Sequence, residues 1–240
     1  MAEEYNVSTK DYTLKQKFEN FWYHYKWHSI IALFLVIVIL VCSLQFCSNT
    51  EYDAYILYAG EYQFERTSKD GDIPTYVGAM NAFKRVCEDV SGDGEINVSF
   101  ADLLCMTDAQ RAEYREENGV EPDTRLLYDD AQKLGNLMST GNFFILFISP
   151  EVYEQYSNED DVPRFEALKP YTAEGVEYEY YSEYAIKLSS LEFYNTAYIS
   201  SLPEDTLVCF RKIGVLGNNS NVKENYNASK DVLRKIFAYQ

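Results

Sequence analysis

The stretch Ser29–Cys47, SIIALFLVIVILVCSLQFC, sets the organisation of this 240-residue chain. Its 19 residues carry no charge, and Gln45 near the far end is its one strongly polar side chain. At about 1.5 Å of rise per helical residue, its length matches the roughly 30 Å hydrocarbon core of a bilayer. The stretch therefore predicts a transmembrane helix over 29–47, between a juxtamembrane segment, 1–28, and a larger domain, 48–240.

Charged and aromatic side chains flank the apolar stretch unequally. Four lysines precede it, whereas the first basic residue after it is Arg66. Lys-rich flanks stay in the cytoplasm, and rings such as those of Phe21–Trp27 settle at headgroup level. A cleaved signal peptide is the alternative, but 28 residues precede the stretch and no small-residue cleavage site follows it. We therefore predict a single-pass anchor in the cell membrane, with a cytoplasmic N-terminus and an extracytoplasmic domain over 48–240.

The outer domain carries all of the net charge of −17, because residues 1–47 hold four basic and four acidic side chains. Such a surface repels nucleic acid and suits cations, basic partners or simple solubility, so we predict no nucleic-acid partner. Three cysteines, Cys87, Cys105 and Cys209, are an odd number in apolar surroundings. We expect buried thiols rather than a disulfide framework.

Apolar runs in the outer domain alternate with helical patterns. The runs predict strands at 53–59, 96–104, 143–148, 185–189 and 206–213. Apolar residues at helical spacing predict helices over 75–88, 107–117, 123–139, 150–156 and 223–239. The first of these helices has an expected inward stripe of Val77, Met80, Phe83 and Cys87. The alternation predicts an α/β fold with a mostly parallel sheet.

Three stretches of the outer domain carry a family resemblance. The block Lys133–Tyr156 (KLGNLMSTGNFFILFISPEVYEQY), followed by Arg164–Tyr171 (RFEALKPY), is similar to a helix–loop–strand–helix unit of bacterial extracellular solute-binding proteins. Together with Asp53–Tyr62 (DAYILYAGEY), it resembles single-pass envelope proteins of Gram-positive bacteria. The resemblance implies an α/β domain like one lobe of a solute-binding protein. The chain lacks that family's lipid-attachment cysteine and is too short for two full lobes, so capture of a ligand between lobes does not carry over.

The loop Asp89–Asn97, DVSGDGEIN, has much of the spacing of a calcium-binding loop. Gly94 stands where such a loop turns sharply, but Phe100 stands at position 12, where a bidentate carboxylate belongs. We predict a weak calcium site in which the ligands, at loop positions 1, 3, 5, 7 and 9, are Asp89, Ser91, Asp93, Glu95 and Asn97. The alternative is an ordinary acidic turn between a helix and a strand.

Residue types that enzymes commonly use are scarce in the outer domain. Both histidines, His24 and His28, precede the anchor, which excludes Ser–His–Asp, Cys–His and zinc–histidine chemistry outside. Carboxylate pairs such as Asp129–Asp130 and Glu177–Glu179 leave a cell-wall glycoside hydrolase as an alternative. The Tyr- and Glu-rich stretch Gly175–Leu188 offers contact area for a protein or glycan, or forms a strand with one face in the core.

These observations lead to one preferred function and two alternatives. We predict a membrane-anchored, non-enzymatic binding or assembly module of the cell envelope. Its partners would be the lipid bilayer and an envelope protein or glycan. The first alternative is a degenerate solute-binding lobe that captures a small ligand, with or without calcium, and the second is the carboxylate-dependent hydrolase.

Overall fold

The computed structural model describes residues 13–47, 51–67, 71–157, 164–214 and 220–240. The chain divides into two compact units, Met1–Thr50 and Glu51–Gln240. Parts of the predicted segments, namely residues 1–12 of the first and 48–50 of the outer domain, lie outside the described residues.

The described part of the first unit is a single helix, α1 (Leu14–Cys47). Its segment Phe21–Ser43 has a mean hydropathy of 2.2 and is long and apolar enough to cross a membrane. Membrane anchors and signal sequences share these properties. The helix begins before the predicted 29–47 because residues 14–28 contain neither Gly nor Pro, and aromatic rings stack four residues apart along it.

The second unit consists of alternating strands and helices followed by a more irregular half. Its strands are β1 (Ala54–Gly60), β2 (Val98–Leu104), β3 (Ile145–Ile148), β4 (Tyr180–Ser182), β5 (Ala185–Lys187) and β6 (Leu207–Phe210). Its helices are α2 (Thr75–Lys84), α3 (Asp108–Asn118), α4 (Thr124–Thr140), α5 (Pro150–Ser157) and α6 (Ser220–Phe237). Each predicted strand and helix has a counterpart, and β4 is the strand that the sequence pattern did not predict.

The described strands form one open sheet in the order β2-β1-β3-β6-β5-β4. Strands β1, β2 and β3 are parallel, and the register places Ile56 between Phe100 and Ile145. Strand β6 runs antiparallel to β3, β5 antiparallel to β6, and β4 antiparallel to β5. Four of the six described strands therefore point the same way, and the predicted α/β class with a mostly parallel sheet is confirmed.

Helices cover both faces of this sheet. On one face, Ile56 and Tyr58 of β1 pack in a cluster with residues of α2 and α6, among them Phe83 and Leu233. On the other face, Leu57 packs in a second cluster with residues of α4 and α5, among them Leu134 and Val152. The continuous apolar runs of β1 and β3 are explained by this arrangement, because strands covered on both faces need apolar side chains on both.

The expected inward stripe of α2 was wrong at Val77, whereas Phe83 and Cys87 are buried and Met80 packs against the core. Val77 is 37% exposed, and the buried residues of the helix are Gly78, Ala79, Ala82 and Phe83. The helix also ends at Lys84 rather than Glu88, because Arg85, Val86 and Cys87 bond to carbonyls three residues back in a tightened last turn. Cys87 is still buried, but it follows the helix instead of facing inward from it.

Candidate functional site

The three parallel strands end at one edge of the sheet, where their following residues meet. The backbone of Cys105, after β2, donates to the carbonyl of Gly60 at the end of β1 (2.8 Å). The backbone of Ser149, after β3, donates to the carbonyl of Ala59 (2.9 Å). Crevices outside the carboxyl ends of strands are the usual ligand sites of open α/β sheets.

A crevice of about 530 Å³ lies at this edge. Its apolar wall comes from two helices that cover the sheet and includes Leu127, Leu134, Val152 and Tyr156. Its polar groups come from the residues after the strands and from α3, and include Thr107, Gln110, Arg111, Ser149 and Glu151. An apolar surface with a few convergent polar groups is typical of a small-molecule site.

Helix α3 borders the crevice without contributing to the core. None of its residues is buried, and both of its ends are satisfied locally. At its start, the Thr107 hydroxyl accepts from the Gln110 backbone (3.2 Å), while the Gln110 side chain accepts from the Thr107 backbone (2.8 Å). At its end, Gly119 adopts a left-handed conformation (φ 68°) and donates to the Arg115 carbonyl. This capping box and glycine stop satisfy backbone groups at both ends of the helix.

Helix α4 supplies one side of the crevice. Asp123 caps its first turn by accepting from the backbones of Arg125 (3.0 Å) and Leu126 (3.1 Å). Helical spacing in the sequence predicts a core-facing stripe of Leu127, Ala131, Leu134 and Met138 along this helix. Leu134 and Met138 are buried, whereas Leu127 is half-buried and Ala131 is exposed. Leu127 and Ala131 both line the crevice, so the N-terminal part of the predicted stripe faces open space instead of the core.

Two charged side chains, those of Glu151 and Arg111, line the crevice, and Glu61 contacts the lining residue Gln110. Burial, followed by repulsion from Asp205 and Glu151, raises the pKa of the Glu61 carboxyl above its usual range. Glu61 also receives a hydrogen bond from the side chain of Gln110, which lines the crevice. Arg111 is the one guanidinium in the lining, and it is ion-paired with the exposed Asp108 on its own helix.

The Cys105 thiol, which lines the crevice, is a poor nucleophile. Burial raises the pKa of Cys105 to about 12, so the group is protonated at neutral pH. Cys87 and Cys209 are buried thiols elsewhere in the domain, and burial raises their pKa values too. The chain has no histidine after His28 that would act as a base beside them.

The predicted calcium loop is folded around its own carboxylates. Asp89 accepts from the backbone of Gly92 (2.6 Å) and of Gly94 (2.9 Å) and from the Ser91 hydroxyl (3.2 Å). These bonds, led by that from Gly94, lower the pKa of Asp89. Asp93 accepts from the backbone of Glu95 (2.8 Å) and lies 3.5 Å from the side-chain nitrogen of Asn97.

One carboxylate that sequence reasoning missed organises this loop from outside. Asp53, 3% exposed, accepts from the backbones of Val90 and Ser91 (both 2.8 Å) through one oxygen. Its other oxygen accepts from the backbone of Asn97 (2.7 Å). The sequence did contain a signal, because Asp53 stands at the start of an otherwise apolar run. A carboxylate buried at such a position needs hydrogen-bond donors around it. Among the described residues no three His, Cys, Asp or Glu side chains converge as metal ligands, and calcium binding by this loop stays a prediction.

Of the four carboxylates in the two predicted pairs, one is buried and three are exposed. Asp130 is buried and accepts from the Leu104 backbone (2.9 Å), whereas Asp129 lies near Arg125 at the surface. Glu179 forms an ion pair with Lys187, and Glu177 is exposed.

Within Gly175–Leu188 the tyrosines have different roles. The Tyr178 hydroxyl donates to the Phe237 carbonyl (3.0 Å), which ties the stretch to α6. Tyr180 and Tyr181, on the edge strand β4, are 44% and 41% exposed. Of the four tyrosines in the stretch, Tyr178 and Tyr184 pack against the core and the other two are exposed, and contact with a partner stays a prediction.

Comparison with known proteins gives no match, whether to family models, to curated proteins or to solved structures. The resemblance to a solute-binding lobe therefore stays a prediction, and the arguments about function rest on this chain's own residues.

Proposed function

We propose that this protein is a membrane-anchored binding module of the cell envelope, and that its ligand site is the crevice at the carboxyl ends of the parallel strands. The observation that carries the proposal is the crevice itself, with about 530 Å³ of space between an apolar wall and convergent polar side chains. The anchor is α1, and the Lys-rich N-terminal flank supports an extracytoplasmic position for the domain.

Binding fits the crevice better than catalysis does. Its thiol, Cys105, is protonated at neutral pH, and its hydroxyl, Ser149, is positioned near the backbone of Val152 (3.4 Å) at the start of α5. These side chains are suited to hydrogen bonding and packing rather than to attack on a substrate. A small ligand in this crevice is also what the solute-binding interpretation expects.

Methionine methyl groups provide a direct test on the full chain in lipid nanodiscs. The chain has four methionines; Met106 lines the crevice, and Met80 packs against the cluster on the opposite face of the sheet. With ¹³C-labelled methionine, fragments that enter the crevice should shift the Met106 resonance and leave Met80 in place. Assignment follows from Met106→Leu, which removes the signal.

A filled crevice supplies the matched control. Ala131 is exposed and lines the crevice, so Ala131→Trp should occupy the space and abolish the fragment-induced shifts at nearly unchanged melting temperature. Ala112→Trp, at an exposed position of α3 outside the lining, should leave the fragment-induced shifts of Met106 unchanged. The proposal would be contradicted if no fragment shifted the Met106 resonance, or if the shifts persisted in Ala131→Trp.

A second candidate function rests on the edge strand. Tyr180 and Tyr181 expose rigid aromatic surface, and Val176 of the same stretch is also exposed. Such surface suits contact with an envelope protein or glycan. Site-specific photo-crosslinking from Tyr180 in intact cells, compared with crosslinking from the crevice residue Tyr128, would distinguish this face from the crevice.

A further inference from the structure

A second crevice, of about 670 Å³, opens on a different face of α4. Leu126, Asp130 and Lys133 line it from the helix, and the residue after each of them lines the first crevice. The rest of its lining is the last part of β2, Asp102–Leu104, and the segment Tyr62–Thr67 after β1. Five of its twelve lining residues are charged, against two of fifteen in the first crevice, so its chemistry is the more polar of the two.

Asp130 is a buried carboxylate with one free oxygen in the second crevice. The residue is 9% exposed, and its Oδ2 accepts from the backbone of Leu104 (2.9 Å). Its Oδ1 has no hydrogen-bond partner among the described residues and is accessible from the crevice that Asp130 lines. Because a buried carboxylate is stabilised by hydrogen-bond donors, a ligand that donates to Oδ1 would be favoured here.

Two cations border the same space without pairing with Asp130. Lys133, three residues further along α4, is exposed, and the ion pairs of the described residues do not join it to Asp130. Arg66 instead pairs with Asp102, whose side chain is 10% exposed, and its guanidinium lies over the Tyr76 ring (4.3 Å to the centroid). Residues three apart on a helix are neighbours, so the crevice presents a free acceptor and a free donor side by side.

We propose that the second crevice binds an uncharged polyhydroxylated ligand, of the saccharide class, through hydroxyl groups that donate to Asp130 Oδ1 and accept from Lys133 Nζ. A hydroxyl both donates and accepts, so neighbouring hydroxyls match an adjacent carboxylate and ammonium. The lining holds three carboxylates against one ammonium and one guanidinium, so its charges nearly balance and favour a neutral ligand. This site is separate from the crevice of the proposed function, and the two proposals are tested independently.

The probes are glucose, galactose, mannose and N-acetylglucosamine, each compared with tetrahydropyran-2-methanol, which keeps the sugar ring but only one hydroxyl. Each is titrated into the full chain in nanodiscs of zwitterionic lipid, and binding is measured by saturation-transfer NMR of the probe. We expect at least one sugar to bind with a dissociation constant on the order of 1–10 mM, and the one-hydroxyl ring to bind at least about tenfold more weakly. The free amino acid alanine, a zwitterion, should bind no better than the one-hydroxyl ring.

Matched lysine variants localise the binding. Lys133→Met should weaken the sugar about three- to tenfold at an unchanged melting temperature, because the side chain is exposed and the loss is that of a hydrogen bond to the ligand. Lys223→Met removes an exposed lysine of α6 outside the lining and should leave the affinity unchanged. Asp130→Asn retains an acceptor for the Leu104 amide and should weaken the sugar by a similar factor.

The outcomes keep this inference apart from the proposed function. The absence of binding by all four sugars, or a sugar affinity that Lys133→Met does not reduce, would overturn the inference and leave the first crevice as a ligand site. Tighter binding of alanine than of any sugar would also overturn it and would show that charge decides what the second crevice binds. Sugar binding that shifts the Met106 resonance and persists in Lys133→Met would place the sugar in the first crevice instead.

Discussion

The ring of Tyr198 lies directly on Gly78 of α2. A Cβ built at position 78 would fall 2.3 Å from the ring carbon Cγ of Tyr198, so the contact exists only because residue 78 has no side chain. Tyr198 is also the one described non-glycine residue with positive φ (72°). Tyr198 therefore combines a close ring contact with a backbone conformation that is uncommon for a non-glycine residue.

This contact predicts that Gly78→Ala destabilises the domain although alanine is the better helix former. Displacing the ring should lower the free energy of unfolding by about 1–3 kcal/mol, more than the helix-propensity gain of about 1 kcal/mol offsets. Gly135→Ala in α4 is the control, because the nearest atom to its added Cβ is the Tyr156 hydroxyl oxygen at 3.9 Å. In denaturant unfolding, Gly135→Ala should leave the free energy of unfolding unchanged or raise it. Equal effects of the two substitutions would show that the Tyr198 ring moves aside without cost.

Arg211 should be among the most sensitive positions of the domain. It is 4% exposed, donates to the carbonyls of Met138 (3.2 Å), Gly141 and Phe143 (3.0 Å), and lies over the Phe144 ring. Burial lowers its pKa to about 10, which still leaves it charged at neutral pH. Because two of these carbonyls lie at the end of α4 and the third lies between α4 and β3, Arg211→Met should cost about 2–4 kcal/mol of unfolding free energy.

Arg211→Lys separates charge from shape. A lysine retains the charge but lacks the planar fork that reaches several carbonyls, so most of the loss should remain. Full recovery of stability with lysine would show that the charge alone matters at the end of the helix.

The hydrogen bonds of Asp53 predict that its substitution loosens the loop Asp89–Asn97. Asp53→Asn leaves one acceptor oxygen in place of two, so the amides of Val90, Ser91 and Asn97 should exchange with deuterium faster, at a cost of about 1–3 kcal/mol in global stability. Asp89→Ala is the comparison, because it should release the amides of Gly92 and Gly94 instead. Unchanged exchange at these amides would show that the loop holds its shape without the carboxylates.

Calcium binding by Asp89–Asn97 is tested by titration. Because position 12 is Phe100, we expect a dissociation constant on the order of 10⁻⁴–10⁻³ M. About 2 mM calcium should therefore raise the melting temperature slightly, Asp93→Ala should abolish that rise, and magnesium should not replace calcium. The lowered pKa of Asp89 keeps its carboxylate ionised well below neutral pH, so the effect should persist into mildly acidic buffer. A melting temperature that calcium does not change would identify the loop as an acidic turn.

The orientation of α1 is tested on whole cells. Protease added to cells stripped of their wall should degrade the domain beyond residue 48 and spare the N-terminus, because Lys residues crowd only the N-terminal flank. Protection of the domain would reverse the orientation. A mature chain that lacks α1 would identify the helix as a signal sequence.

Local patterns predicted the elements of the fold well and their packing less well. The run Phe143–Ile148 marks a strand covered on both faces because burial on both faces needs apolar residues throughout. The burial of Gly78 in α2 involves Tyr198, which lies 120 positions away along the chain, and no helical periodicity contains that information. The crevice was not predicted for the same reason: Thr107, Leu134 and Val152 meet only because three parallel strands end at one edge.

The independence of α3 has a consequence for how this protein evolves. The helix places Gln110 and Arg111 at the crevice, yet none of its residues is buried and its ends are held by Thr107 and Gly119. Substitutions on its crevice side therefore alter the chemistry that a ligand meets without drawing on the free energy that keeps the sheet and its helices folded. If the crevice binds a ligand as proposed, substitutions along this one surface helix would change ligand preference while the packing of the core stays the same.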